Sequence, residues 1–275
     1  MSVLQVLAVW VDLVATAVLV GGSVYAAFVA EPEPRGRSGL GAAAWFLAAA
    51  LLLEICLNAF RMHQISGIGG QPLFVDVFEM KWSRWWVLRS LALAVIAGGL
   101  AADRPRWSGL ATVGIAALLA RSFQGHAGAH GTAAAVFDWV HLCAASVWVG
   151  GLVQLALSSS VPTAIAERAS RLFAIALGPL LVAGAYGAFL HVASFALLVT
   201  SSYGRTLLAK IALATLGIGL GAANRYRRLP ALRAGQACQA TRLHYAVRAE
   251  VVVVAVVLLL SALLGALPMP HAVSP

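Results

Sequence analysis

Residues 139–151 read WVHLCAASVWVGG, and residues 10–22 read WVDLVATAVLVGG. At an offset of 129 the two stretches share Trp, Val, Leu, Ala and a closing pair of glycines. Two further matches follow in chain order. His63 falls on His191 at an offset of 128, and Arg84 and Arg89 fall on Arg205 and Lys210 at an offset of 121. Both tryptophan stretches lie inside apolar runs near the ~20 residues that span a bilayer as a helix. Such runs recur at 3–30, 41–62, 85–102, 108–125, 133–158, 168–192, 205–223 and 245–267. They predict an all-α polytopic membrane protein with eight transmembrane helices. Four spans return a chain to the side on which it began, so the halves 1–130 and 131–275 are expected to be parallel four-helix repeats.

Composition agrees with that class. Of 275 residues, 61% are hydrophobic and 11% are charged, whereas soluble domains carry about 25% charged residues. The stretches EPEPRGRSG, ADRPRWSG and SSSVPTAIAERAS separate successive runs and read as connections. The segment between Arg61 and Arg84 is longer, with room for a short interfacial piece, and Trp82, Trp85 and Trp86 read as an aromatic belt. No separate soluble domain is expected between the runs. The first 34 residues hold no Lys or Arg, so the start reads as a first helix rather than a signal peptide.

The net charge of +9 does not point to nucleic acid. Arg225, Arg227, Arg228, Arg233 and Arg242 crowd one connection, and Arg35, Arg37, Arg104, Arg106, Arg168 and Arg171 fall in connections on the same side. The positive-inside rule makes that side cytoplasmic and places both termini outside, in the periplasm of a Gram-negative cell. Cys56, Cys143 and Cys238 form no CxxC pair, so neither a disulfide framework nor a thiolate zinc site is expected.

Under that topology His63, His126, His130, His141, His191 and His271 all fall in the outer half, with Met62 and Met269 beside two of them. A lone histidine at a helix end is ordinarily a wetted interfacial residue; six on one face point to a shared role. Imidazole suits several transition metals, and thioether narrows the preference toward Cu(I). His126 and His130 share a face if GHAGAHG is helical, and gather metal loosely if it is a flexible loop. Asp138 and His141 share a face at i, i+3; the carboxylate there binds metal, fixes the imidazole tautomer, or makes a local hydrogen bond. Asp12 and Glu54 lie at similar depth. Ionised groups in a bilayer face a cavity or a partner, so an ion or proton path and simple pairing with Arg89, Arg121 or Lys210 stand side by side. The WVGG and VLVGG glycines read as packing devices. Arg248 and Glu250 read as an anchor or an exit gate.

GHAGAHG, DWVHLCAASVWVGGL, LLVTSSYGRTLLAKIALA with NR after it, and RAE opening the last run resemble the membrane domain of the CopD copper resistance family. The likeness runs from about residue 124 to 250, and WVLRSLALA extends it into the first half. The resemblance implies copper handling in the bacterial inner membrane, commonly uptake from the periplasm beside a periplasmic CopC-type copper carrier. It carries His126, Asp138 and His141 over as family-matching positions; His63, His130, His191 and His271 rest on topology and repeat alone.

The expected function is therefore a copper transporter rather than an enzyme, with copper, as Cu+ or Cu2+, gathered at a histidine-rich outer site. No P-loop is present to drive it with ATP. Two alternatives remain: a haem-binding redox protein using His63, His141 and His191, and a delivery or assembly factor that transports nothing. The inner half offers only His244, which argues against a transmembrane chain of two haems.

Overall fold

The structure, a computed structural model, describes residues 3–67, 76–191, 195–234 and 238–268. These residues form eight long helices. They are α1 (Val3–Phe28), α2 (Pro34–Ser66), α3 (Lys81–Leu100) and α4 (Trp107–Gln124), then α5 (Thr132–Leu157), α6 (Thr163–His191), α7 (Ser202–Ala223) and α8 (Cys238–Ala266). Short pieces join them: helical turns at 76–79 and His126–Ala129, a helix at Phe195–Thr200, and a π-helical turn at Asn224–Arg228 leading into Leu229–Arg233.

Six helices, α1, α2, α5, α6, α7 and α8, are long and apolar enough to cross a membrane, which makes this a multi-pass membrane protein. The helices α3 and α4 are the two that fall short. They are also the ones that carry Arg89, Arg121 and Gln124, and those side chains turn out to face inward.

Helix α1 is apolar all round, as a helix surrounded by protein should be. Its buried residues run from Ala8 to Ala26, and it packs against α2, α4, α5 and α8. Helix α5 packs against α6, α8, α1 and α4. The two closest-packed partners are therefore the helices that carry the repeated tryptophan stretches. They meet where the glycine pairs cross. A Cβ on Gly21 would run into the backbone carbonyl of Ser146, and one on Gly150 would meet Gly22 N, Ala17 O and Gly21 C at 2.5–2.6 Å. Only glycine lets two helix backbones approach so closely. The two tryptophans also act alike. Trp10 Nε1 donates to Ala255 O of α8 at 3.0 Å, and Trp139 Nε1 donates to Ile115 O of α4 at 2.9 Å.

Two connections are shorter than the sequence suggested. Helix α2 begins at Pro34, whose fixed φ suits a first helical turn, and α6 begins at Thr163 directly after Pro162. Hence RGRSG and AIAERAS are helix starts rather than loops; their charges sit at helix ends, where water and headgroups solvate them. The connections on this face are tied together. Glu33 accepts from Ser159 N at 2.9 Å, a bond that holds its carboxyl below the usual carboxylate range, and Arg168 Nη1 donates to Val29 O at 3.0 Å. The tryptophans read as a surface belt partly turn inward: Trp86 Nε1 donates to Leu51 O at 2.9 Å and Trp85 stacks on Phe123 at 4.9 Å.

Candidate functional site: a buried charge cluster beneath a polar vestibule

Asp12 sits in the middle of α1 with no exposure to solvent. An ionised carboxylate in such a place requires partners, and α3 and α4 supply them. Arg89 Nη2 bonds Asp12 Oδ1, and Arg121 Nε reaches Asp12 Oδ2 at 3.1 Å. Thr16 Oγ1, one turn along α1, donates to Oδ1 at 3.4 Å. Arg89, itself 4% exposed, also donates to Gln124 Oε1 at 2.8 Å and faces Glu54 Oε2 of α2 at 3.6 Å. The pairing expected for Asp12 and Glu54 with Arg89 and Arg121 is thus present. It draws on all four helices of the first half.

The two acids are held differently. Both oxygens of Asp12 are committed to guanidinium groups. Glu54 lies beyond hydrogen-bond length from Arg89 and lines a cavity of about 470 Å3 above the cluster. That vestibule is walled by the start of α1 (Gln5), the end of α2 (Asn58, Arg61), Trp82, Arg121 and the last turns of α4 and α8. Gln124 Nε2 is buried with no hydrogen-bond partner among the described residues, which leaves a donor for a polar guest. Among the described residues lining the vestibule Glu54 is the one acid, and Arg61 and Arg121 are the bases.

His141 of α5 is the residue that the 129-residue offset aligns with Asp12. Its Nδ1 lies 3.1 Å from Leu180 O on α6, and its ring packs where a Cβ on Gly184 would touch it. A carbonyl only accepts, so in the neutral ring Nδ1 carries the proton and Nε2 is the nitrogen with a lone pair. Lys210 of α7 and Asp138 of α5 are close enough to interact electrostatically with each other; Lys210 also acts on His141, and Asp138 on Arg121. Asp138 therefore stands between Arg121 and Lys210, and of these charged groups it is Lys210 that acts on His141.

The other candidates are spread along the same face. Met62 and His63 end α2, with His63 exposed; His130 caps the one-turn helix His126–Ala129, which settles GHAGAHG as a helical turn. His191 is the last residue of α6; for it and His126 only the backbone is described. Met269 and His271 lie outside the described residues. Among the described residues no three His, Cys, Asp or Glu side chains converge closely enough to hold a metal ion.

A second polar site surrounds Glu250, which the sequence singled out with Arg248 as an anchor or an exit gate. Glu250 of α8 is 1% exposed, and its partner is not Arg248, two residues away and on another face of the helix. Asn224 Nδ2 donates to Glu250 Oε1, and Arg228 Nη1 donates to Asn224 Oδ1 at 2.6 Å. The NR and RAE strings carried that signal, but only the fold brings them together.

Residues 1–136 match the N-terminal domain described as Copper resistance protein D-like, and residues 163–264 match the family described as Copper resistance protein D. The chain belongs to the CopD family. Glu54, Arg89 and Arg121 fall in the first of these CopD matches, and Lys210, Asn224 and Glu250 fall in the second. The chain is also 28% identical over 199 residues to the Copper transport protein CutJ of Bacillus subtilis (strain 168). That similarity covers 64% of this chain and 37% of the relative, so the chain spans well under half of that protein's length. No solved structure matches it significantly.

Proposed function

We propose that the protein is a copper transporter of the inner membrane, taking copper ions from the periplasmic side along the face that bears the histidines. It acts by handling the ion rather than by catalysis. The observation that carries this reading is the buried cluster Glu54–Arg89–Asp12–Arg121 beneath a vestibule on the face where His63 and His130 also lie.

Copper is the cargo. His126, His130 and His63 gather it at the rim with Met62, and His271 and Met269, outside the described residues, are further candidate ligands on the sequence alone. His141 holds it deeper, and His191 at the end of α6 is the further ligand the sequence offers. The Leu180 carbonyl fixes the His141 ring and presents Nε2 as a ligand nitrogen. Asp12 and Asp138 face Arg89, Arg121 and Lys210, and Glu54, the acid of the cluster not hydrogen-bonded to a guanidinium, carries a proton until the cation arrives. Releasing that proton to the vestibule offsets the charge of the ion.

Eight spans are supported by length and by pairing. At about 1.5 Å per residue, α3 and α4 reach roughly 30 and 27 Å, and their Arg89 and Arg121 are paired with Asp12, with Glu54 facing Arg89, within the bundle. The reciprocal tryptophan bonds and the glycine crossing support two parallel repeats whose first helices meet at the centre. Arg35, Arg37, Arg104, Arg106, Arg168 and Arg171 lie in connections or helix starts opposite the vestibule, which supports periplasmic termini and leaves the outer face open to a CopC-type carrier.

The test is copper flux into proteoliposomes with His141→Asn. Asparagine keeps an N–H for Leu180 and loses the Nε2 ligand. Uptake is expected to fall at least tenfold with the melting temperature unchanged. Absence of flux in the unaltered protein, or a Soret band at one haem per chain, would overturn the copper-transport reading.

A further inference from the structure

The helices α6 and α7 leave a cleft between them. The corresponding helices of the first half, α2 and α3, pack directly together, whereas α6 and α7 barely touch. Only 6% of the most apolar window of α6, and 11% of that of α7, is buried inside the protein, against 44% for α5. A cavity of about 370 Å3 fills the gap, walled by Trp148, Phe173, Leu177, Leu180 and Ile218 and lined mainly by apolar side chains. At its end nearer the arginine-rich connection it adjoins a second cavity of about 370 Å3, with which it shares Ser170, Arg225, Tyr226 and Leu229.

The second cavity has the opposite chemistry. Arg171, Arg225 and Arg233 line it against the single carboxylate of Glu167, which is already bonded to Arg233 at 2.6 Å. Arg225 is set in place by Ser170, whose carbonyl and Oγ both take its Nη1, at 2.9 and 2.8 Å. Tyr226, 73% exposed, stands at the same level, as tyrosines do where bilayer meets water. Glu250 lines the apolar cavity and repels an anion from its depth, so a negative group has one place to sit.

We propose that this cleft holds one anionic phospholipid, its phosphate on Arg171, Arg225 and Arg233 and one acyl chain in the apolar cavity between α6 and α7. The two chemistries meet at Arg225 in the order in which a lipid presents them: charge at the membrane surface, hydrocarbon below. Basic pockets between membrane helices bind acidic headgroups in this way. A soluble anion would use the arginines and leave the apolar cavity empty; a zwitterionic lipid would bring its own cation in among Arg171, Arg225 and Arg233, which the single Glu167 carboxylate does not offset.

The experiment compares phosphatidylglycerol with phosphatidylcholine by native mass spectrometry and thermal melting of the full chain in detergent. Phosphatidylglycerol is expected to be retained at least tenfold more strongly and to raise the melting temperature more. The double change Arg171→Gln/Arg233→Gln should erase that preference while leaving Arg225 and its Ser170 bonds in place. The variant Ala176→Phe, which fills the tail cavity and keeps every charge, should reduce retention of phosphatidylglycerol at least tenfold. Equal retention of the two lipids by the unaltered protein would overturn the proposal. So would inorganic phosphate competing as well as the lipid and binding Ala176→Phe undiminished, because the site would then be one for a soluble anion.

Discussion

Asp12→Asn is expected to cost about 3–5 kcal/mol of stability, the usual loss when one partner of a buried ion pair is removed. The side chain keeps its shape, so no cavity contributes. What is lost is the negative charge shared by Arg89 and Arg121, and Arg89 is 4% exposed, with Glu54 at 3.6 Å the one carboxylate left facing it among the described residues. Thermal melting of purified protein reads the effect, and so does the fraction surviving detergent extraction. The double change Asp12→Leu/Arg89→Leu should be milder than Asp12→Asn, since it removes one buried charge of each sign and leaves Arg121 with Glu54. A loss under about 1 kcal/mol for Asp12→Asn would mean that water or Glu54 already compensates the arginines.

Gly150→Leu is expected to reach or exceed the ~3 kcal/mol top of the ordinary overpacking range. A larger side chain in a core is usually accommodated by rotation of its neighbours. Here the neighbours are Gly22 N, Ala17 O and Gly21 C of α1, and backbone in the middle of a helix does not rotate away. The helices α1 and α5 must separate, taking with them the tryptophan bonds to α8 and α4. Gly219→Ala is the control. A Cβ there meets nothing within 4 Å, and alanine is the better helix former, so the melting temperature should hold or rise slightly. Equal effects of the two changes would refute the close crossing.

Much of the bundle was legible because membrane helices announce themselves by length and apolarity. The runs at 3–30 and 133–158 match α1 and α5 to within a few residues. The starts of α2 and α6 were read too late, because charged residues at a helix end solvated by headgroups look like a loop in one dimension. The repeated glycines were legible as packing devices, but their mutual contact was not: offset alone does not say that two equivalent helices cross at their equivalent points. Asp12 and Glu54 were recognisable as buried acids in need of cations, and Arg89 and Arg121 were among the candidates. Glu250 was legible with Arg248 as an anchor or gate residue, but its bond to Asn224 was not, because Asn224 is near it only in space.

By itself the sequence determined a polytopic helical bundle, its charge asymmetry, its CopD resemblance and the residues able to ligate a soft metal. Those follow from local composition and from the cost of placing polar groups in hydrocarbon, which each segment carries independently of the others. The tertiary structure decided which charges neutralise which, that the first helices of the two halves cross on their glycines, that the Leu180 carbonyl sets the His141 tautomer, and that α6 and α7 stand apart. Each of these depends on which helices meet and at what rotation, and that is fixed by packing across distances along the chain that no local pattern encodes.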